Sequence, residues 1–289
     1  MFEWWEGFWA TYSTVVFSIG VNAMLALSIY LTLSCGLLSL ANAAFMGIGA
    51  YSAAMISMHS GLPFPVALLA SAVLPALVAL IIGIPTLRLS GVYLAMATLG
   101  FGEVVRVIVL NLEITGGPMG LNGIPQKTEF WHIAAFLLAT LFLLARLRRS
   151  KVGRAFEAIK EDEVAARLMS INVASYKLLA FTLGAAIAGL AGGLNAHFTF
   201  TIGPNNYAFE NAVDILTMAV FGGTSNLIGP TLGAAILTLL PEVLRQFKDF
   251  RLVVNGLILV LVILYLPKGI WDPRRIRGFF QRRATQGAA

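Results

Sequence analysis

Runs of about twenty apolar residues, the length needed to cross a hydrocarbon core, follow one another along most of this chain. They lie near 11–33, 36–58, 65–84, 91–111, 130–147 and 176–199, with shorter ones at 211–223, 230–245 and 252–266. In hydrocarbon no water meets backbone N–H and C=O groups, so a spanning segment is a helix or part of a closed barrel. The runs lack the alternation of barrel strands, which selects helices. Composition agrees: 58% of residues are hydrophobic, 12% are charged, and mean hydropathy is +0.83. No soluble domain of 289 residues hides that much apolar surface, so lipid is the solvent. The expected fold is all-α, a polytopic transmembrane bundle of about 8–10 spans with short or broken helices in the second half.

Charge orients the bundle. The one long polar stretch between spans holds Arg146, Arg148, Arg149, Lys151, Arg154, Lys160, Arg167 and Lys177, and the positive-inside rule puts it in the cytoplasm. Nine crossings then place the N-terminus outside and the basic tail, about 268–289, inside with Arg274, Arg275, Arg277, Arg282 and Arg283. The outward loops keep Lys127, Arg245, Lys248 and Arg251, and the segment 211–223 counts as a crossing because a re-entrant hairpin would reverse the tail. The start, MFEWWEGFWATYS, has Glu3 and Glu6 but no basic residue, unlike the positive opening of a secretory signal. A single membrane domain over 1–289 is expected, since no polar stretch is long enough to fold alone.

Other classes are excluded by what the sequence lacks. Cys35 is the one cysteine, His59, His132 and His197 are scattered, and no metal-ligand spacing occurs. No nucleotide loop, HExxH, GxSxG or CxxC is present, so neither a catalytic site nor a metal is expected, and the basic residues border apolar runs without interleaved aromatics, which argues against nucleic acid. Four features bear on mechanism. Ala185, Gly189 and Gly193 form one small-residue stripe, with Gly184, Ala188 and Gly192 on the neighbouring one, as close helix packing in lipid requires. Glu103 and Arg106 share a face within a span, either as a structural ion pair or along a solute path, and Asn42, Asn195 and Asp214 are further polar intrusions, Asp214 being a possible helix cap. The short run NAVDILTMAVFGG and the following GGTSNLIGPTLGAA, with Thr224 and Ser225, read as a plain turn or as backbone lining a path. Finally, in the loop at about 148–175, Phe156 and Ile159 share one helical face, Asp162 can cap the next helix, and Val164, Leu168 and Ile171 share another face; its partner is the bilayer surface, the flanking helices or a cytoplasmic protein.

Five ordered blocks carry a family resemblance: SLANAAFMGIGAYSAA at 39–54, LRLSGVYLAMATLGFGEVVR at 87–106, ITGGPMGLNGIP at 114–125, GRAFEAIKEDEVAARLMSINVASYKLLAF at 153–181, and VFGGTSNLIGPTLGAA followed by PEVLR. From about Leu37 to Ile270 the chain resembles the LivM-type membrane permease subunits of branched-chain amino acid ABC importers. The resemblance implies a permease domain in a bacterial or archaeal cytoplasmic membrane. Its implied partners are a second homologous permease, two cytoplasmic ATP-binding subunits that hold ATP and Mg, an extracytoplasmic solute-binding protein and membrane lipid. The solute it implies is a branched-chain or related aliphatic amino acid; related permeases carry urea, amides or other amino acids, and a channel or secondary transporter acting alone is the competing class. The central loop corresponds to the family's coupling loop. Ala165 and Ala166 match its paired alanines, and Ser170 stands where glycine is usual. On that basis the coupling residues are Phe156, Ile159, Ala165, Ala166, Leu168, Ser170 and Ile171, and the solute path runs by Asn42, Glu103, Arg106, Asp214, Thr224 and Ser225.

Overall fold

A computed structural model describes residues 2–243. The expected span at 252–266 and the basic tail lie outside the described residues. Ten α-helices follow in order: α1 Phe2–Ser34, α2 Asn42–His59, α3 Phe64–Thr86, α4 Gly91–Asn111, α5 Phe130–Arg149, α6 Lys151–Glu161, α7 Glu163–Leu168, α8 Val173–Thr199, α9 Phe209–Gly222 and α10 Ile228–Val243. Eight of them run between two ends of the bundle, while α6 and α7 lie in the basic loop. That loop defines a basic end, and short 3-10 turns with a two-stranded ribbon define the opposite one. In the ribbon, β1 (Leu121–Asn122) pairs antiparallel with β2 (Thr201–Ile202).

α8 is the axis, packed along its length against α2 and α3 and also against α1. Its two small-residue stripes let three neighbours approach closely. Gly189 and Gly193 meet α3 at Ser71 and Pro75, while Gly192 meets α2 at Met46. Pro75 has no N–H to give the Ser71 carbonyl four residues back, which leaves that oxygen free on the α8 side. A Cβ at Gly189 would overlap it, so only glycine lets the two backbones close there. At the opposite end a buried side-chain pair joins α2 to α8. His197 Nδ1 lies 2.9 Å from the Gly193 carbonyl, which only accepts, so Nδ1 carries the proton and Nε2 accepts from Ser57 Oγ at 2.7 Å. The Phe64 ring closes edge-on over His197.

Five helices, α3, α4, α5, α8 and the Ser13–Ser34 part of α1, are long and apolar enough to cross a membrane. α2 is less apolar than these five for a physical reason: twelve of its eighteen residues are buried against protein, so its surface is rich in Ala, Gly and Ser for close packing. By contrast α3, α4 and α5 expose Leu69, Ile81, Val92, Met96, Leu138 and Phe142. They form the apolar flank that needs lipid or another membrane subunit.

Two expectations need correction. The second run does not begin as a helix at 36: the chain is irregular from Cys35 to Ala41, turned by Gly36 at φ +75°. The Leu40 N–H, with no helical partner, donates to Thr98 Oγ1 of α4 at 3.0 Å, so a side chain replaces the missing backbone acceptor. Asp214 caps nothing. It sits inside α9, exposed, and the N-cap position is Ala208.

Candidate functional site

At the basic end, Ser150 Oγ accepts from the N–H groups of Val152 and Gly153 to start α6. Asp162 is extended, at φ −153° and ψ 111°, and its carboxylate accepts from Val164 and Ala165 N–H to start α7. This break re-aims the apolar stripe. Ala155, Phe156 and Ile159 of α6 are buried in the core, Phe156 edge-on against Tyr176 of α8. In α7 Ala166 is buried, but Val164, Leu168 and the following Met169 are 69%, 82% and 78% exposed. Ala165 is also exposed, and Ile171 packs partly against the core. The face expected to hold Val164, Leu168 and Ile171 is therefore split, because α7 ends at Leu168 and the turn at Ser170 sends Ile171 back toward the core.

Charge fixes α7 to the base of α8. Lys177 Nζ donates to Glu163 Oε2 at 2.6 Å and Arg167 Nη2 to Glu163 Oε1 at 2.6 Å. The Lys177 hydrogen bond is the largest influence on the Glu163 carboxyl, and with Arg167 it outweighs partial burial and holds the group below its usual range. Ser170 then turns the chain at φ +62°, a left-handed conformation that suits glycine and costs a serine about 1–2 kcal/mol. On the other side of α6, Arg148 lies 3.9 Å from Glu157 and donates to Asn226 Oδ1 at 2.8 Å, linking α5, α6 and the α9–α10 turn. Thr224 and Ser225 belong to that turn, so the glycine-rich break lies beside the basic loop, at the end of α9.

Toward the opposite end, Arg106 Nε donates to Glu103 Oε2 at 2.8 Å, with the two side chains 29% and 37% exposed. Arg106 Nη1 reaches Asn205 Oδ1 at 3.5 Å, in the turn Pro204–Tyr207 that leads into α9. Asn42 is elsewhere. It is buried near the basic end and donates to Ser28 Oγ of α1 at 2.7 Å, a helix-to-helix lock. Of the six path residues read from the sequence, the structure joins Glu103 to Arg106 and leaves Thr224 with Ser225 at the other end. Sequence reasoning missed Tyr51, Tyr207 and Asn205, which surround Arg106 from α2 and the turn before α9. The signal was aromatic and amide residues bordering the glycines of GIGAY and IGPNNY. Among the described residues no three of His, Cys, Asp or Glu gather as a metal would require.

The family described as branched-chain amino acid transport system / permease component matches residues 11–265. The high-affinity branched-chain amino acid transport system permease protein LivM of Escherichia coli K12 is 34% identical over 94% of this chain and 71% of its own length. The probable branched-chain amino acid transport permease protein LivM of Methanocaldococcus jannaschii is 24% identical over 71% of this chain and 67% of its own. The corresponding LivH of Escherichia coli K12 is 35% identical, over 50% of this chain and 47% of its own. No solved structure matches.

Proposed function

The chain belongs to the family of branched-chain amino acid transport system permease components, and from that membership we propose that it is the membrane-spanning subunit of an ABC importer carrying branched-chain or related aliphatic amino acids into the cytoplasm. It is a multi-pass protein of the inner membrane. In this reading the basic end is cytoplasmic, which satisfies the positive-inside rule. ATP and Mg are held by two cytoplasmic subunits, this chain has no catalytic site of its own, a second homologous permease packs beside it, and an extracytoplasmic solute-binding protein delivers the solute to the opposite end.

The observation that carries the coupling is the reversal between α6 and α7. α6 is seated on its own bundle, and α7 offers Val164, Leu168 and Met169 outward on a short helix pinned through Glu163 to Lys177 of α8. An apolar face so held is suited to receive a push and pass it to the axial helix. Through Arg148 the same layer touches the α9–α10 turn with Thr224 and Ser225, which in this reading borders the cytoplasmic mouth of the path. In this reading Glu103 and Arg106 line its outer half, because a charged pair within a span is tolerated only beside protein or water.

The test is reconstitution of the chain with its partner subunits in proteoliposomes. ATP inside and solute-binding protein outside should drive leucine, isoleucine or valine inward, and uptake should stop without hydrolysable ATP. Uptake of urea or amides alone would move the solute assignment, and ATP-independent uptake by this chain by itself would replace the importer reading with a channel or secondary transporter.

A further inference from the structure

The hydroxyls of Tyr51 and Tyr207 are buried with no hydrogen-bond partner among the described residues, and the two residues are 4% and 5% exposed. A buried donor without an acceptor is unfavourable, by more in lipid than near water. Two together call for a shared explanation. Their rings meet edge to face at 6.0 Å, and both residues line one small cavity with Ala44, Gly47, Gly102 and Arg106. The cavity is about 10 Å³, the size of one water-scale group. Gly47 keeps it open on one side, since a Cβ there would come within 2.9 Å of the Tyr207 ring.

Every polar group around this cavity can donate. Arg106 uses Nε for Glu103 and one Nη for the long contact to Asn205, which leaves further guanidinium N–H groups. Two tyrosines with unpartnered hydroxyls and an arginine that line one glycine-walled hollow suit an anionic oxygen pair. Glu103 faces the neighbouring cavity, across a wall made of Ala44, Gly102 and Tyr207 that both cavities share. A cation would sit on that side. Resting on the importer reading above, we propose that Tyr51, Tyr207 and Arg106 form a carboxylate-recognition station on the solute path, with Glu103 positioned for the ammonium of the same zwitterion. A carboxylate larger than one water enters when α4, which meets α2 and the Pro204–Tyr207 turn over a short seam, moves outward from the tightly packed α2–α8 pair.

The experiment uses the full complex in nanodiscs and proteoliposomes. Replacing both tyrosines, Tyr51→Phe with Tyr207→Phe, should lower leucine turnover about ten- to a hundredfold in a complex that still assembles with all its subunits. In parallel, 3-fluorotyrosine at the two positions should shift its fluorine resonances with leucine and with 4-methylvalerate, which keeps the carboxylate, and not with isoamylamine, which lacks it. Wild-type turnover in the double variant, or resonances that ignore both carboxylates, overturns the station. A wild-type complex that moves no leucine while its resonances still answer carboxylates refutes the importer's assigned solute and leaves the station standing.

Discussion

α6 and α7 are consecutive helices of one loop with similar apolar spacing, yet they bury opposite amounts. Phe156 and Ile159 are 2% and 4% exposed, whereas Leu168 is 82% exposed. The difference arises at Asp162, whose extended backbone breaks the stripe and whose carboxylate restarts it at a new angle. The lesson is that a helical period reports a face and its width but not its destination. That is decided by the angle between elements, here set by one capping residue.

The contrast can be broken from the buried side first. Phe156→Ala should remove about 3–5 kcal/mol of packing, so α6 detaches from α8 and the complex loses both assembly and thermal stability. Leu168→Asp should change the stability of the chain by no more than about 0.5 kcal/mol, since the site is exposed. It should still abolish solute-stimulated ATPase and transport, because the charge falls in the docking face. Equal stability losses in the two variants, measured by thermal unfolding in detergent, would erase the distinction between the helices.

The pin is the next target. A carboxyl held low by Lys177 and Arg167 contributes stability that is present above the ordinary Glu value of 4.5 and is lost as pH falls through the lower folded value. Protection of the α7 amides, taken relative to the unfolded chain at the same pH, should therefore fall in the wild type once pH drops below that range. In Glu163→Gln protection should be lower already at neutral pH and flat across the same interval. A wild-type profile in the variant would show that α7 is held by packing alone.

The smallest effect expected is at Ser170→Gly. Relief of the left-handed serine exceeds the added chain entropy of glycine, so protection at the α7–α8 junction should rise by about 0.5–1 kcal/mol. Unchanged exchange there would mean that the turn carries no strain.

Much was legible before any coordinates. α4 spans Gly91–Asn111, the limits its apolar run gives, and Asp162 caps the helix after it as its position suggests. The small-residue stripes of α8 also signalled close packing, because a missing side chain is visible in sequence. Less of the candidate site was legible. Asn42, Glu103 and Thr224 read alike as polar groups amid apolar runs, but Asn42 locks α2 to α1, Glu103 pairs with Arg106, and Thr224 lies by the basic loop. Polarity in a span says that a partner is needed and leaves open which one.

The sequence by itself determined that this chain is a helical membrane protein, where α4 runs and where the second loop helix starts, because those follow from local hydropathy and capping along a one-dimensional string. Only the tertiary structure decided which apolar face of the loop is buried, which polar groups in the spans meet, and that Tyr51 and Tyr207 converge on Arg106. The last of these depends on residues more than fifty positions apart in the chain. Two tyrosines near glycines are unremarkable on the string; they become a candidate site only when three helical elements bring them to line one hollow with Arg106.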